Sequence, residues 1–282
     1  MAAPSPTPAD LEITPRNLSF SKGEPHPRWW LGSDPVGTAL FNAFSATFPH
    51  GERYFIDSVK AFRDQVDPPL KRQIQAFVQQ ESMHSREHAL FNRQAAETGY
   101  DLTALEERSR QRMEIARTRP PVVQLAVTAA LEHFTAIIAH TLLTRPEVLA
   151  GAPAEAARLW RWHSIEEIEH KAVAYDVLLA VTKGMSGWRR WRMRARVMVL
   201  VTILFVRNMS KNVAELMRQD GFEPRKMRGK TLKYLFLTPG LLSGLIPHYL
   251  AWFQPGFHPW QQDDRAVLAA AEGEFATAVA AE

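Results

Sequence analysis

The sequence predicts an all-α protein, and three observations carry that expectation. From Val36 onward the pattern is helical over long stretches. Proline and glycine fall between these stretches rather than inside them, at Pro49/Gly51, Pro68-Pro69, Gly99, Pro120-Pro121, Pro146 and Gly184. No run of alternating apolar and polar residues is followed by a hairpin turn. At 282 residues the chain is long enough to bury a sizeable core.

Residues 1–35 are rich in proline and lack the basic start and apolar core of a secretory signal. They are expected to form an extended arm, with Trp29 and Trp30 docking it onto the body. A short helix is expected over Val36–Thr47, closed by a bend at Phe48-Pro49-His50-Gly51, and the next over Glu52–Val66. A long helix follows over Leu70–Thr98. Leu102–Thr118 is charged and should lie outside. Val122–Leu143 is strongly apolar, and Ala154–Thr182 reads as one further long helix. A helix of about 22 residues spans about 33 Å, so residues 36–182 suit an antiparallel four-helix bundle. Residues 183–282 are expected to add C-terminal helices packed on that bundle.

The chain has no cysteine and ten histidines. Disulfides, thiolate metal sites, iron–sulfur clusters and cysteine nucleophiles are therefore excluded, and any metal must be held by His and carboxylate. Two long helices each carry Glu-x-x-His: Glu81/His84 and Glu167/His170. On a helix, positions i and i+3 project from one face, so each pair can reach one ion. One such pair means little, but two on separate long helices mean more. Glu132 is the one acidic residue between Pro121 and Leu143, and a carboxylate inside an apolar helix is costly unless paired or bound to metal. Glu52 is the candidate on the first bundle helix, preferred to Asp57. One Glu from each of two helices and one Glu-x-x-His from each of the other two is the ferritin-like dinuclear arrangement. Four carboxylates would balance two divalent ions. Oxygen and imidazole ligands suit iron first, with manganese or zinc as alternatives.

His163 lies one turn before Glu167 on the same stripe and is expected as a third imidazole ligand. His88, one turn after His84, is expected to orient a ligand or to be a fourth. Glu87, Glu166 and Glu169 fall off or at the edge of these stripes, as surface charges or as partners of ligands. His133 and His140 are read as core or rim histidines. Tyr54 and Tyr175 lie near the ligand helices, as packing residues before redox ones.

This ligand order resembles the ferritin-like di-iron oxygenases and the ribonucleotide reductase small subunit. The His163/Glu167/His170 spacing is similar to the aminobenzoate N-oxygenase branch. Four motifs, Phe48-Pro-His-Gly-Glu52, Gln80-Glu-Ser-Met-His-Ser-Arg-Glu-His88, Trp162-His-Ser-Ile-Glu-Glu-Ile-Glu-His-Lys171 and Phe257-His-Pro-Trp260, resemble the bacterial family labelled predicted metal-dependent hydrolase. That resemblance runs from about Pro25 to about Trp260. Together the two likenesses imply a dinuclear metal enzyme. The expected activity is an O₂-dependent oxidase or oxygenase, supplied by an electron donor. A metal-dependent hydrolase is the alternative, and a non-catalytic metal-binding protein the third reading.

The net charge of +4 is a sum of unlike parts. Lys183–Lys233 holds 14 basic and 3 acidic residues, leaving 20 basic and 27 acidic elsewhere. No nucleic-acid module accompanies the basic segment, so nucleic acid is not an expected partner. Basic residues and tryptophans beside apolar stretches at 188–206 and 232–253 point to peripheral membrane contact, a buried helix or a homodimer face. The apolar run Val197–Val206 is by itself too short to span a bilayer. The expectation is a cytoplasmic protein, peripheral to the inner face of the membrane, acting on a small or lipid-like substrate.

Overall fold

The structure, a computed structural model, describes residues 7–20 and 26–280. The expected arm therefore lies partly outside the described residues, at 1–6 and 21–25. All regular structure among the described residues is helical. Asp34 caps α1 (Pro35–Ser45) by accepting from the Val36 amide, and Asp67 caps α3 (Pro68–Glu97) by accepting from the Leu70 amide. Between them α2 runs over Phe48–Lys60. Outer helix α4 (Thr103–Arg117) is followed by α5 (Pro121–Thr144), α6 (Ala154–His170) and α7 (Val173–Val181). The C-terminal part holds α8 (Gly187–Gln219), α9 (Pro224–Phe236), α10 (Leu245–Ala251) and α11 (Arg265–Ala280).

Three boundaries differ from expectation. The Phe48–Gly51 bend is the first turn of α2. Proline is tolerated there because its missing N–H would be unpaired in any case. The helix ends earlier, at Lys60, followed by one 3₁₀ turn at Arg63–Gln65. The expected Ala154–Thr182 helix is two helices, interrupted at Lys171-Ala172 immediately after His170. The Lys171 ammonium turns away to Asp264 Oδ2 at 2.6 Å and to the Gln262 carbonyl at 2.8 Å.

α2 lies along α3, and α5 along α6 and α7, with α3 also meeting α6 and α7. Two apolar cores flank the space between these helices. One gathers the arm, α1, α6 and α8 around Phe41, Trp160 and Trp162. The other gathers α2, α3, α5 and α7 around Tyr54, Phe77 and Trp252. Gly37 lets α9 approach α1, since a Cβ there would stand 2.8 Å from the Tyr234 ring. Trp30 is buried and donates to Asn42 Oδ1 at 2.9 Å, while Trp29 rests on Phe222.

Candidate metal centre

Between the two cores lie carboxylates and imidazoles rather than apolar groups. Glu52 comes from α2, Glu81 and His84 from α3, Glu132 from α5, and His163, Glu167 and His170 from α6. All seven are buried. Their ligand atoms form three overlapping groups within 4.8 Å: Glu52/His84/His163, Glu81/His84/Glu167 and Glu81/Glu132/His170. Asp57, the competitor of Glu52, instead pairs with Arg117 at 2.8 Å near the surface.

Hydrogen bonds settle which imidazole nitrogens face inward. His84 Nε2 is engaged by Glu166 Oε2 at 3.0 Å, and once Glu166 is ionised that nitrogen must carry the proton. Its Nδ1 is buried without a partner. His170 Nδ1 donates to Gln80 Oε1 at 2.9 Å, because Gln80 uses its amide nitrogen on Glu169. His170 Nε2 then points inward, 3.1 Å from Glu81, 3.3 Å from Glu132 and 3.6 Å from Glu167.

The third imidazole follows from a longer chain. The Ser45 hydroxyl donates to Asn92 Oδ1 at 2.6 Å, so it can only accept from His88 Nδ1 at 2.9 Å. His88 Nε2 must then accept from His163 Nδ1 at 2.6 Å. His163 Nε2 is left bare, 2.9 Å from Glu167 Oε1. Two acceptors face each other across that gap, which requires a cation or a proton between them. His88 thus touches His163 and belongs to none of the three ligand groups.

The donor set fits bound metal. Glu52 Oε1, both oxygens of Glu81 and of Glu132, His84 Nδ1, Glu167 Oε2 and His170 Nε2 are buried with no hydrogen-bond partner. Buried polar atoms are ordinarily satisfied, and here the unsatisfied ones converge. Without metal the cluster is electrostatically frustrated. Burial and mutual repulsion push Glu52 and Glu81 well up. Burial and repulsion from Glu167 raise Glu132 to about 7, against the pull of His170. Burial alone would lower His170, but Glu167, Glu132 and Glu81 hold it well above its usual range. Protons stand in for the missing positive charge.

A pH prediction follows. Glu132 at about 7 and Glu166 at about 8 both lie above their unfolded value, so the folded chain binds more protons than the unfolded one. Stability of the metal-free protein therefore falls as pH rises through these values. Buried His84, His88 and His133, all held low, act oppositely at about pH 6–7, so thermal melts in chelator from about pH 7.5 to about pH 9 should show Tm decreasing. With divalent metal present the loss should be offset, since ligands must deprotonate to bind. A metal-free Tm that rises over this interval would contradict the charge reading.

Of the two roles expected for Glu87, Glu166 and Glu169, burial excludes surface charge for all three, and Glu166 and Glu169 take the other, as partners of His84 and, through Gln80, of His170. The N-terminal arm covers all three. Its backbone amides donate to them: Thr14 to Glu169 at 3.1 Å, Arg16 to Glu166 at 2.9 Å, Phe20 to Glu87 at 2.9 Å. The Arg16 guanidinium adds 2.7 Å to Glu169. Arm residues thus hold Glu166, which holds His84, and Glu169, which through Gln80 holds His170. No spacing on α6 or α3 reveals this, because the arm is remote in sequence. Tyr54 donates to the Gln124 carbonyl and Tyr175 to the Phe257 carbonyl, both away from the ligand atoms. His133 faces the His248 carbonyl and His140 faces Asp264.

One large cavity, about 620 Å³, reaches the centre. That lies within the usual range for small-molecule sites. Glu167 and His163 stand at its inner wall, while Val127, Leu131, Phe134 and Leu204 line its length. The cavity runs between α4, α5 and α8, and Arg108, which pairs with Asn212, lies along one side.

No curated protein and no solved structure matches the chain. The family described as predicted metal-dependent hydrolase matches residues 14–263, a span that takes in the arm from Thr14 onward, every carboxylate and imidazole of the centre, and the basic helix. The chain belongs to the predicted metal-dependent hydrolase family.

Proposed function

We propose that the protein is a metal-dependent hydrolase with a dinuclear centre, acting on an ester or amide that carries a long apolar chain. The observation behind this reading is the meeting of an apolar cavity with converging, unpartnered ligand atoms. Family membership favours hydrolysis over oxidation. Glu52, Glu81, His84, Glu132, His163, Glu167 and His170 would hold two divalent ions, zinc or manganese for this chemistry. Bound there, the ions would supply Lewis acidity toward a carbonyl and an activated water. The chain's own residues do the rest. Glu166, Gln80 and His88 keep the outer imidazole nitrogens occupied, so the lone pairs stay aimed inward. The apolar walls at Leu131, Phe134 and Leu204 bind the substrate chain and exclude bulk water.

A second reading is favoured by one specific feature. All seven ligand residues project from helices in the ferritin-like order, an arrangement typical of di-iron and di-manganese carboxylate proteins. That feature supports an O₂-dependent oxidase or oxygenase with iron and an external electron donor. Metal analysis and turnover separate the two. Two zinc or manganese ions per chain, with release of acid from long-chain p-nitrophenyl esters or anilides, is the expected result. Two irons, a visible absorption band on aerobic loading and no ester or anilide turnover would replace hydrolysis with the oxidative reading.

A further inference from the structure

We infer that the outer face of α8 docks on an anionic lipid bilayer, with the mouth of the cavity set in that face. α8 is 33 residues long, far longer than its Val197–Val206 apolar run suggested. By length and composition alone it could cross a membrane. However, one side of it is packed on α1 and α5, and the other is split into apolar and basic zones. That is the pattern of a helix lying in the interface plane rather than spanning it.

Val199, Leu200, Ile203 and Val206 share one stripe and are each between 48% and 59% exposed. Arg192 and Arg196 continue the stripe on one side, Arg207 and Lys211 on the other, all exposed. None of these four is paired with a carboxylate among the described residues. α8 has no acidic residue before Glu215. α10 extends the apolar zone: Tyr249 meets Thr202 at 2.9 Å, and its neighbours Ile246 and Leu250 stand exposed. Trp188, also exposed, stacks on Trp191 at the basic end, where an indole suits the headgroup level.

The occupant is decided by charge. A second copy pairing through α8 would bring basic ends together in either orientation, parallel or antiparallel. Anionic headgroups instead neutralise both ends while the apolar centre enters the acyl boundary. The cavity adds direction. Leu200, Ile115 and Arg119 are exposed and line it at once, so its mouth opens beside the α8 stripe. A single-chain amphiphile can then pass from a leaflet to the centre without crossing water.

Flotation of the full chain tests this with vesicles of phosphatidylcholine alone and of equal parts phosphatidylcholine and phosphatidylglycerol. Binding to the anionic vesicles is expected at about 0.1 M salt, with release at about 1 M, where charge is screened within about 3 Å. Ile203→Glu with Val206→Glu should weaken binding more than about tenfold, and Arg196→Ala about fivefold. These side chains stand in solvent, so the variants should melt and load metal as the parent does. Failure to float with anionic vesicles, equal binding of the double variant, or a stable dimer that buries α8 and ignores vesicles would overturn the inference. None of those outcomes touches the hydrolase reading, which stands on metal content and turnover in solution.

Discussion

Glu132→Ala is expected to lose the second metal ion and to invert the response of stability to metal. Glu132 is buried, both its oxygens lack partners, and α5 offers no other acidic residue. In the metal-free chain it is a liability. Its carboxyl is held up at about 7 by burial and by Glu167. Removing it should leave the metal-free Tm equal to that of the parent or above it. With metal the order reverses. A ligand at about 100 times its Kd adds about 2.7 kcal/mol to the folded state, and the variant forfeits most of that increment at the Glu81/Glu132/His170 position. Elemental analysis should fall from two ions per chain toward one, and the metal-induced rise in Tm should shrink. Glu132→Gln, which keeps the volume, should behave like the alanine variant. Unchanged metal content in either would remove Glu132 from the ligand set.

The second large effect belongs to residues that touch no metal. Glu166→Gln replaces the carboxyl that holds His84 Nε2 with an amide, which can present an N–H there instead. Losses of about 10–100-fold in metal affinity are usual when such partners are changed, and that range is expected here. Arg16→Ala acts on the same relay from the other end. It strips the guanidinium from Glu169, leaving that carboxylate to the Thr14 amide and Gln80, and Glu166 to the Arg16 amide, Trp162 and His84. Breaking a buried pair by removing one partner costs about 3–5 kcal/mol. The low end applies, because Arg16 is partly exposed and both carboxyls are already raised by burial, Glu166 to about 8. A protonated carboxyl needs no cationic partner, and burial raises both carboxyls, so the Arg16→Ala defect should grow as pH rises from about 6 to about 9. Competition with a chromogenic chelator, run at both pH values, reads the affinity, and melts read the stability. A pH-independent defect would mean that Arg16 serves packing rather than charge.

The seven residues that the structure brings together were legible because helices repeat. Glu81/His84 and Glu167/His170 advertise themselves by spacing, and Glu132 by standing alone in an apolar segment. For Glu166 and Glu169 the sequence left two roles open, surface charge or partner of a ligand, and could not choose between them. The same helical arithmetic that puts Glu167 inward puts its neighbours elsewhere, and elsewhere usually means solvent. Here it means an arm about 150 residues away in sequence, whose backbone amides are invisible to any side-chain pattern. The interruption after His170 was equally hidden, since no proline or glycine marks it.

What the sequence determined by itself is periodicity and its chemistry: an all-helical chain, no thiolate ligands, two Glu-x-x-His turns, and a basic segment set against an acidic remainder. The tertiary structure decided everything that depends on which faces meet. It chose the nitrogen that each imidazole presents, made Glu166 and Glu169 buried supports rather than surface charges, opened a cavity beside Glu167, and left one side of α8 uncovered. Helical period is a local property of the chain. Burial and proton placement depend on partners brought from distant positions, and only packing assembles them.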